Sequence, residues 1–173
     1  MKWYAISGSW SITTPQVQEN VEEVVREIIS NGDGIVTGGA LGVDYVATQI
    51  VLNEGNPKKQ LQLYLPIPLD AFCNHYNVRA GQEVITQEQA DIITSQLQRA
   101  KDLGAVIFDN FGFTHANEES YYARNTKIIE AGDCLYAFQV NKSKGTQDAI
   151  NKARSLGREV IVKEYEVPKK ANN

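Results

Sequence analysis

Residues Gly34 to Val51 read GIVTGGALGVDYVATQIV. Gly34 to Thr37 is a brief apolar, β-branched run, and it ends on the glycine-rich turn Gly38-Gly39-Ala40-Leu41-Gly42. Val43, Val46, Ala47, Ile50 and Val51 then recur on one helical face. A short strand that passes through a tight turn into an amphipathic helix is half of a crossover unit. Such units build parallel sheets, because a parallel pair needs a long connection between its strands.

The same alternation continues outward from this unit. Upstream, Lys2 to Ser7 reads as an opening strand stopped by Gly8-Ser9. Thr14-Pro15 then marks a helix start, with Thr as N-cap and Pro at the first helical position. Val17, Val21, Val24, Val25 and Ile28 follow at helical spacing, and Asn31-Gly32 ends that helix. Downstream, Gly55-Asn56-Pro57 closes the second helix, and Leu61 to Leu65 alternates as a strand before Pro66 and Pro68. The segment 69–84 reads as an irregular polar loop over a site. Thr86 with Gln89 forms a capping-box pattern ahead of Ala90, Ile93, Leu97 and Ala100 on one stripe. Ala105 to Phe108 reads as a strand and Asn110 to His115 as a loop, and Asn117 caps a helix running to about Ala131. Cys134 to Val140 is the next strand, and Asn141 to Lys144 is a turn. Gly145-Thr146 then opens a helix with Ala149, Ile150, Ala153 and Leu156 inward. After Gly157, Glu159 to Lys163 is the last strand. Strands alternating with helices from end to end predict an α/β chain: a three-layer Rossmann-like sandwich with a mainly parallel sheet of about six strands. One domain over 1–167 and a polar tail over 168–173 follow.

Composition sets the outer limits. The chain has 173 residues, 42% hydrophobic and 22% charged, as in an average soluble domain, which excludes a collagen, a coiled coil and a wholly disordered chain. The net charge of -4 lacks the basic excess of a dedicated nucleic-acid binder. Cys73 and Cys134 form no CxxC pattern and read as buried or idle thiols in a reducing compartment. The opening MKWYAISGSW has no signal-peptide run, and no stretch approaches the ~18 apolar residues of a membrane span, so the expectation is a cytoplasmic protein off the membrane.

Ligands of open parallel sheets bind at the carboxyl ends of the strands, so the strand-to-helix turns carry the candidates. In Ser7-Gly8-Ser9-Trp10, Gly8 lets backbone amides approach a ligand, Ser9 offers a hydroxyl and Trp10 a stacking surface. In the second turn, Gly38, Gly39, Ala40 and Gly42 permit positive φ and close approach, ahead of helix amides that suit phosphate. Asp44 either caps that loop or holds a ribose hydroxyl. In the third, Lys142, Lys144, Gly145 and Thr146 form a phosphate or carboxylate cradle at a helix start. Arg124 can reach a phosphate bidentately or pair with Glu118 or Glu130, and Asn125 can hydrogen-bond a base or backbone. His75 and His115 fall in expected loops without metal-like spacing, so no metal and no cofactor beyond a nucleotide ligand is expected. His75 with Tyr76, Asn77 and Arg79 can border a pocket.

These residues, in order, carry a resemblance. GGALGVD resembles the SGGARGID stretch of the DprA/Smf (DNA-processing) branch of the SLOG superfamily, whose members also include the LOG, lysine decarboxylase-like, enzymes. ARNTKIIEAGDCLYAF resembles that family's RNRIIAGLSD followed by a strand, and KSKGTQDAINKARSLGREVIV its closing glycine-threonine unit. The resemblance covers nearly the whole chain. It implies a nucleotide or nucleotide-derived ligand at the strand-end crevice, with Gly38, Gly39, Gly42, Asp44, Arg124, Asn125, Gly145 and Thr146 in the binding positions, and a homodimer. Two departures limit it. LOG enzymes carry PGGxGTxxE, whereas Ala149 stands three residues after Thr146, so the catalytic identity is unknown. DprA proteins carry arginines where Ser9 or Trp10 and Leu41 stand here. The leading expectation is a stand-alone nucleotide-binding domain. The alternatives are an N-glycosidic hydrolase using Asp44, Asp109, Glu118, Glu119 or Asp148, a binder of single-stranded nucleic acid through Arg79, Arg124, Lys142 and Lys144, and a bare scaffold.

Overall fold

Thr14 and Pro15 start the first helix as the sequence predicts. In the computed structural model, which describes residues 1–11 and 13–168, Thr14 Oγ1 accepts the Val17 amide at 3.3 Å, and the helix buries Val17, Val21, Val24, Val25 and Ile28. The elements run β1 (Trp3–Gly8), α1 (Pro15–Ser30), β2 (Gly34–Thr37), α2 (Val43–Glu54), α3 (Pro57–Gln60), β3 (Leu61–Tyr64), α4 (Leu69–Gly81), α5 (Gln87–Asp102), β4 (Val106–Phe108), α6 (Glu118–Ala131), β5 (Cys134–Val140), α7 (Lys144–Ser155) and β6 (Glu159–Tyr165). The capping boxes at Thr86/Gln89 and Asn117/Ser120 fix the starts of α5 and α6.

Among the described residues the strands form one six-stranded sheet in the order β4-β3-β2-β1-β5-β6, and every pairing is parallel. The side chains of alternate strand residues leave on opposite faces. Ile6, Ile35, Leu61 and Leu63 join the core with α1, α2 and α5, and Ala5, Val36, Leu135 and Ala137 join the core with α6 and α7. The result is the three-layer Rossmann-like sandwich. The chain leaves β1 toward β2 on one side and leaves β5 toward β6 on the other. A crevice therefore opens between the carboxyl ends of β1 and β5, the topological switch point.

Four expectations need correction. Segment 69–84 is mostly helix, not loop: α4 buries Leu69, Phe72 and Tyr76, a sparse stripe that the polar residues between them conceal, and the Leu69 amide is held by Asp109 Oδ2 at 2.9 Å. His75 is therefore helical. Leu156 is 51% exposed rather than inward, because α7 ends at Ser155 and Leu156 is its C-cap. β6 runs on to Tyr165 because Val140 still offers it a partner, and the one-turn helix α3 was not foreseen. Of the expected polar tail 168–173, only Pro168 lies within the described residues. Cys73 is half-buried, Cys134 is buried, and both are free thiols whose pKa burial pushes up. No described helix is long and apolar enough to cross a membrane.

Candidate functional site

A cavity of about 570 Å³ occupies the switch-point crevice. Its walls come from the loop after β1, the Ala40–Leu41 part of the glycine-rich turn, the inner face of α4, one face of α6 and the first turn of α7. Gly8, Ser9, Trp10, Ala40, Asp44, Arg124, Asn125, Lys144, Gly145 and Thr146 all line it. Gly38, Gly39 and Gly42 do not line it, and the packing explains why. A Cβ on Gly38 would lie 2.0 Å from Arg124 Nη1, and one on Gly42 (φ +76°) would lie 2.2 Å from the Ser9 carbonyl oxygen. A Cβ on Gly39 would strike Leu65 and Leu97. These glycines let protein approach protein. The turn they form sits one strand away from the switch point.

The anion position of that turn is already filled from within. Asp44 is 8% exposed, and its Oδ2 accepts the amides of Gly38 at 3.0 Å and Ala40 at 3.3 Å. The Val43 amide, at the start of α2, donates to the Ser9 carbonyl at 3.0 Å. Burial pushes the Asp44 carboxyl up, while the positive charge of Arg124 and the loop amides pull it down. Asp44 is thus the internal cap. Arg124 is 7% exposed and pairs with neither Glu118 nor Glu130: Nη1 donates to the Gly38 carbonyl, and the guanidinium lies 5.4 Å from the centre of the Tyr121 ring. Its Nε is buried and has no hydrogen-bond partner among the described residues.

The start of α7 is built differently. Ser143, its N-cap, makes no side-chain bond to the helix amides and instead donates to Thr146 Oγ1 at 2.8 Å. A Cβ on Gly145 would meet nothing within 4 Å. The first-turn amides of a helix have no partner inside the helix, so this end presents donors and positive dipole to the cavity. Thr146 is buried beneath them and Lys144 is exposed beside them. Asn125 is committed elsewhere: its amide donates to Asp148 Oδ2 at 3.4 Å, which Lys152 Nζ holds at 2.7 Å.

Residues outside the expected binding set supply the remaining wall. His75, Tyr76 and Arg79 of α4 line the cavity as a pocket border; Asn77 does not. Tyr121 Oη and His75 Nε2 lie 3.3 Å apart, and burial, then Arg79, holds the His75 pKa below its usual value. Tyr76 is buried and its hydroxyl donates to the Gly39 carbonyl at 3.4 Å. Tyr121 was missed, although the Asn117 cap carries the signal: it fixes the helix frame, and Tyr121, Arg124, Asn125 and Ile128 then share one face. Trp10, 48% exposed, stands at the mouth. Of the candidate carboxylates, Asp44 and Glu118 line the cavity, Asp109 caps α4, and Asp148 is paired with Lys152.

No protein-family model matches the chain, and no curated protein matches it in sequence. Solved structures do match. DNA processing protein A from Helicobacter pylori, which binds single-stranded DNA, is 22% identical with a TM-score of 0.65 over 99% of this chain and 67% of its own. DprA from Streptococcus pneumoniae is 19% identical with a TM-score of 0.65 over 98% of this chain, which spans 51% of that protein. The molybdenum cofactor carrier protein from Chlamydomonas reinhardtii is 15% identical with a TM-score of 0.57, over 93% of this chain and 75% of that one. These likenesses show that the chain shares the Rossmann-type fold of the DNA processing A proteins and of the carrier protein.

Proposed function

We propose that this domain binds a nucleotide or nucleotide-derived ligand in the cavity between β1 and β5. Its phosphate lies on the first-turn amides of α7 and its base among Trp10, Tyr121 and Tyr122. One observation carries the reading: the two helix starts facing the crevice differ. At α2 the turn amides are taken by Asp44, the Val43 amide by the Ser9 carbonyl, and Gly42 lies against the Ser9 and Trp10 backbone, whereas the start of α7 makes no side-chain cap bond and is open at Gly145. An open helix N-terminus, an aromatic-walled cavity of this size and the adjacent Lys144 fit a phosphate joined to a flat ring. Binding without cleavage is favoured. Ala149, at the position of the family glutamate, is buried in the core, and Asp148 is neutralised by Lys152.

Single-stranded nucleic acid is the second reading. It is favoured by the likeness to two DNA processing A proteins and by the same aromatic wall.

Thermal unfolding against nucleoside monophosphates, dinucleotides and short single-stranded DNA at two salt concentrations tests both. A ligand at ~100 times its Kd adds about 2.7 kcal/mol, which raises Tm by several degrees. The expected result is a shift with a small nucleotide, little changed by salt and absent in Gly145→Asp. A shift with DNA alone, lost at high salt, moves the assignment to the second reading. Equal binding by parent and Gly145→Asp overturns the site.

A further inference from the structure

Beyond Tyr122 lies a second cavity of about 320 Å³, lined by Tyr122, Lys142, Lys144, Gln147, Asp148 and Asn151. It shares Tyr122 and Lys144 with the first cavity, so the two adjoin at the start of α7. Lys144, Gln147, Asp148 and Asn151 are spaced i, i+3, i+4 and i+7, a single polar stripe along α7 that begins where the phosphate is placed.

The charges there are unbalanced. Lys152 Nζ sits 2.7 Å from Asp148 Oδ2 and 2.9 Å from the Tyr122 carbonyl oxygen, and 5.3 Å from the centre of the Tyr122 ring. It neutralises Asp148 and pins the aromatic partition, leaving Lys142 and Lys144 as the excess charge. Lys142 is held beside this cavity at some cost. Asn141 and Lys142 are consecutive residues with φ of +49° and +52°, a conformation that lysine seldom takes. Asn141 fixes the turn with a reciprocal pair to Val167: its Nδ2 donates to the carbonyl at 2.9 Å and its Oδ1 accepts the amide at 2.8 Å.

A single phosphate needs only the α7 amides and Lys144. Gln147 Nε2 donates to Asn151 Oδ1 at 2.9 Å and Gln147 Oε1 accepts from Gln139 at 3.0 Å, so the two amides keep N–H donors for a ligand. A second cation, then these donors, then a tyrosine ring are what a second phosphate followed by a sugar would meet: cation for charge, amide N–H for hydroxyls, ring for the apolar sugar face. We infer that the cavity beyond Tyr122 is a second subsite, and that the ligand is a nucleoside diphosphate sugar whose sugar lies along the α7 stripe. This rests on the nucleotide reading above.

Calorimetric titration of the full chain with two matched series tests it: AMP, ADP and ADP-ribose, and UMP, UDP and UDP-glucose. In one series the diphosphate sugar is expected to bind at least tenfold tighter than the monophosphate. The exposed substitution Lys142→Ala should remove most of that gain, the diphosphate sugar losing at least fivefold more affinity than the monophosphate, and Gln147→Ala should weaken the diphosphate sugar more than the monophosphate. Equal affinity along a series, or an unchanged gain in Lys142→Ala, overturns the second subsite and leaves the nucleotide reading standing. Failure of every member to bind overturns both.

Discussion

The starts of α2 and α7 face the same crevice and are built on opposite plans. The first has three glycines, a carboxylate and an arginine that are turned inward: Asp44 takes the turn amides, Arg124 Nη1 takes the Gly38 carbonyl, and Gly42 lets the loop after β1 lie against the turn. The second has one glycine with open space around it and an N-cap serine that leaves the helix amides alone. A glycine-rich strand-end turn is thus evidence of close approach without saying what approaches. Only the environment of each missing Cβ tells whether the neighbour is protein or ligand.

Substitutions at the two ends should separate in stability and in binding. Asp44→Ala should have the largest effect on stability, about 2–4 kcal/mol, because it strips the Gly38 and Ala40 amides of their buried acceptor; urea unfolding measures it, and a change under about 1 kcal/mol would mean that this carboxylate is not what closes this end. Gly42→Ala should cost about 1–3 kcal/mol by the same measurement, since the new methyl meets the Ser9 backbone at a positive φ. At the open end, Thr146→Val removes a buried hydroxyl that accepts from Ser143 and should cost about 1 kcal/mol; nucleotide affinity should fall several-fold in the same variant. Gly145→Asp should leave stability within about 0.5 kcal/mol of the parent and abolish nucleotide binding. If Gly145→Asp unfolds the protein as Asp44→Ala does, the contrast between the ends collapses.

The periodic elements were legible because their signals are local. Thr14-Pro15, the Thr86/Gln89 box and the Asn117 cap each fix a helix start, and the valines of α1 mark its buried face. α4 was hidden because Leu69, Phe72 and Tyr76 are too sparse to outweigh the polar residues between them. The helix start at Gly145 and Thr146 was readable from a strand and a turn ahead of it. That Gly38, Gly39 and Gly42 face Arg124, Leu65, Leu97 and the Ser9 backbone was not, because those partners are far along the chain or across a turn. For the same reason the sequence could place Arg124 near a phosphate or a glutamate, but not on the Gly38 carbonyl.

The strand order has a consequence for how the molecule is made. β1 pairs on one side with β2, an early neighbour, and on the other with β5, where Tyr4 lies beside Cys134. A nascent chain can therefore assemble the β1-to-β4 half as it emerges, but β1 keeps an unpaired edge until β5 has been synthesised. The cavity walls follow the same schedule, since the loop after β1 waits for α6 and α7 to arrive. The cavity should then be among the last features of this domain to form on the ribosome, and a chain stopped before β5 would expose a sheet edge and form no cavity.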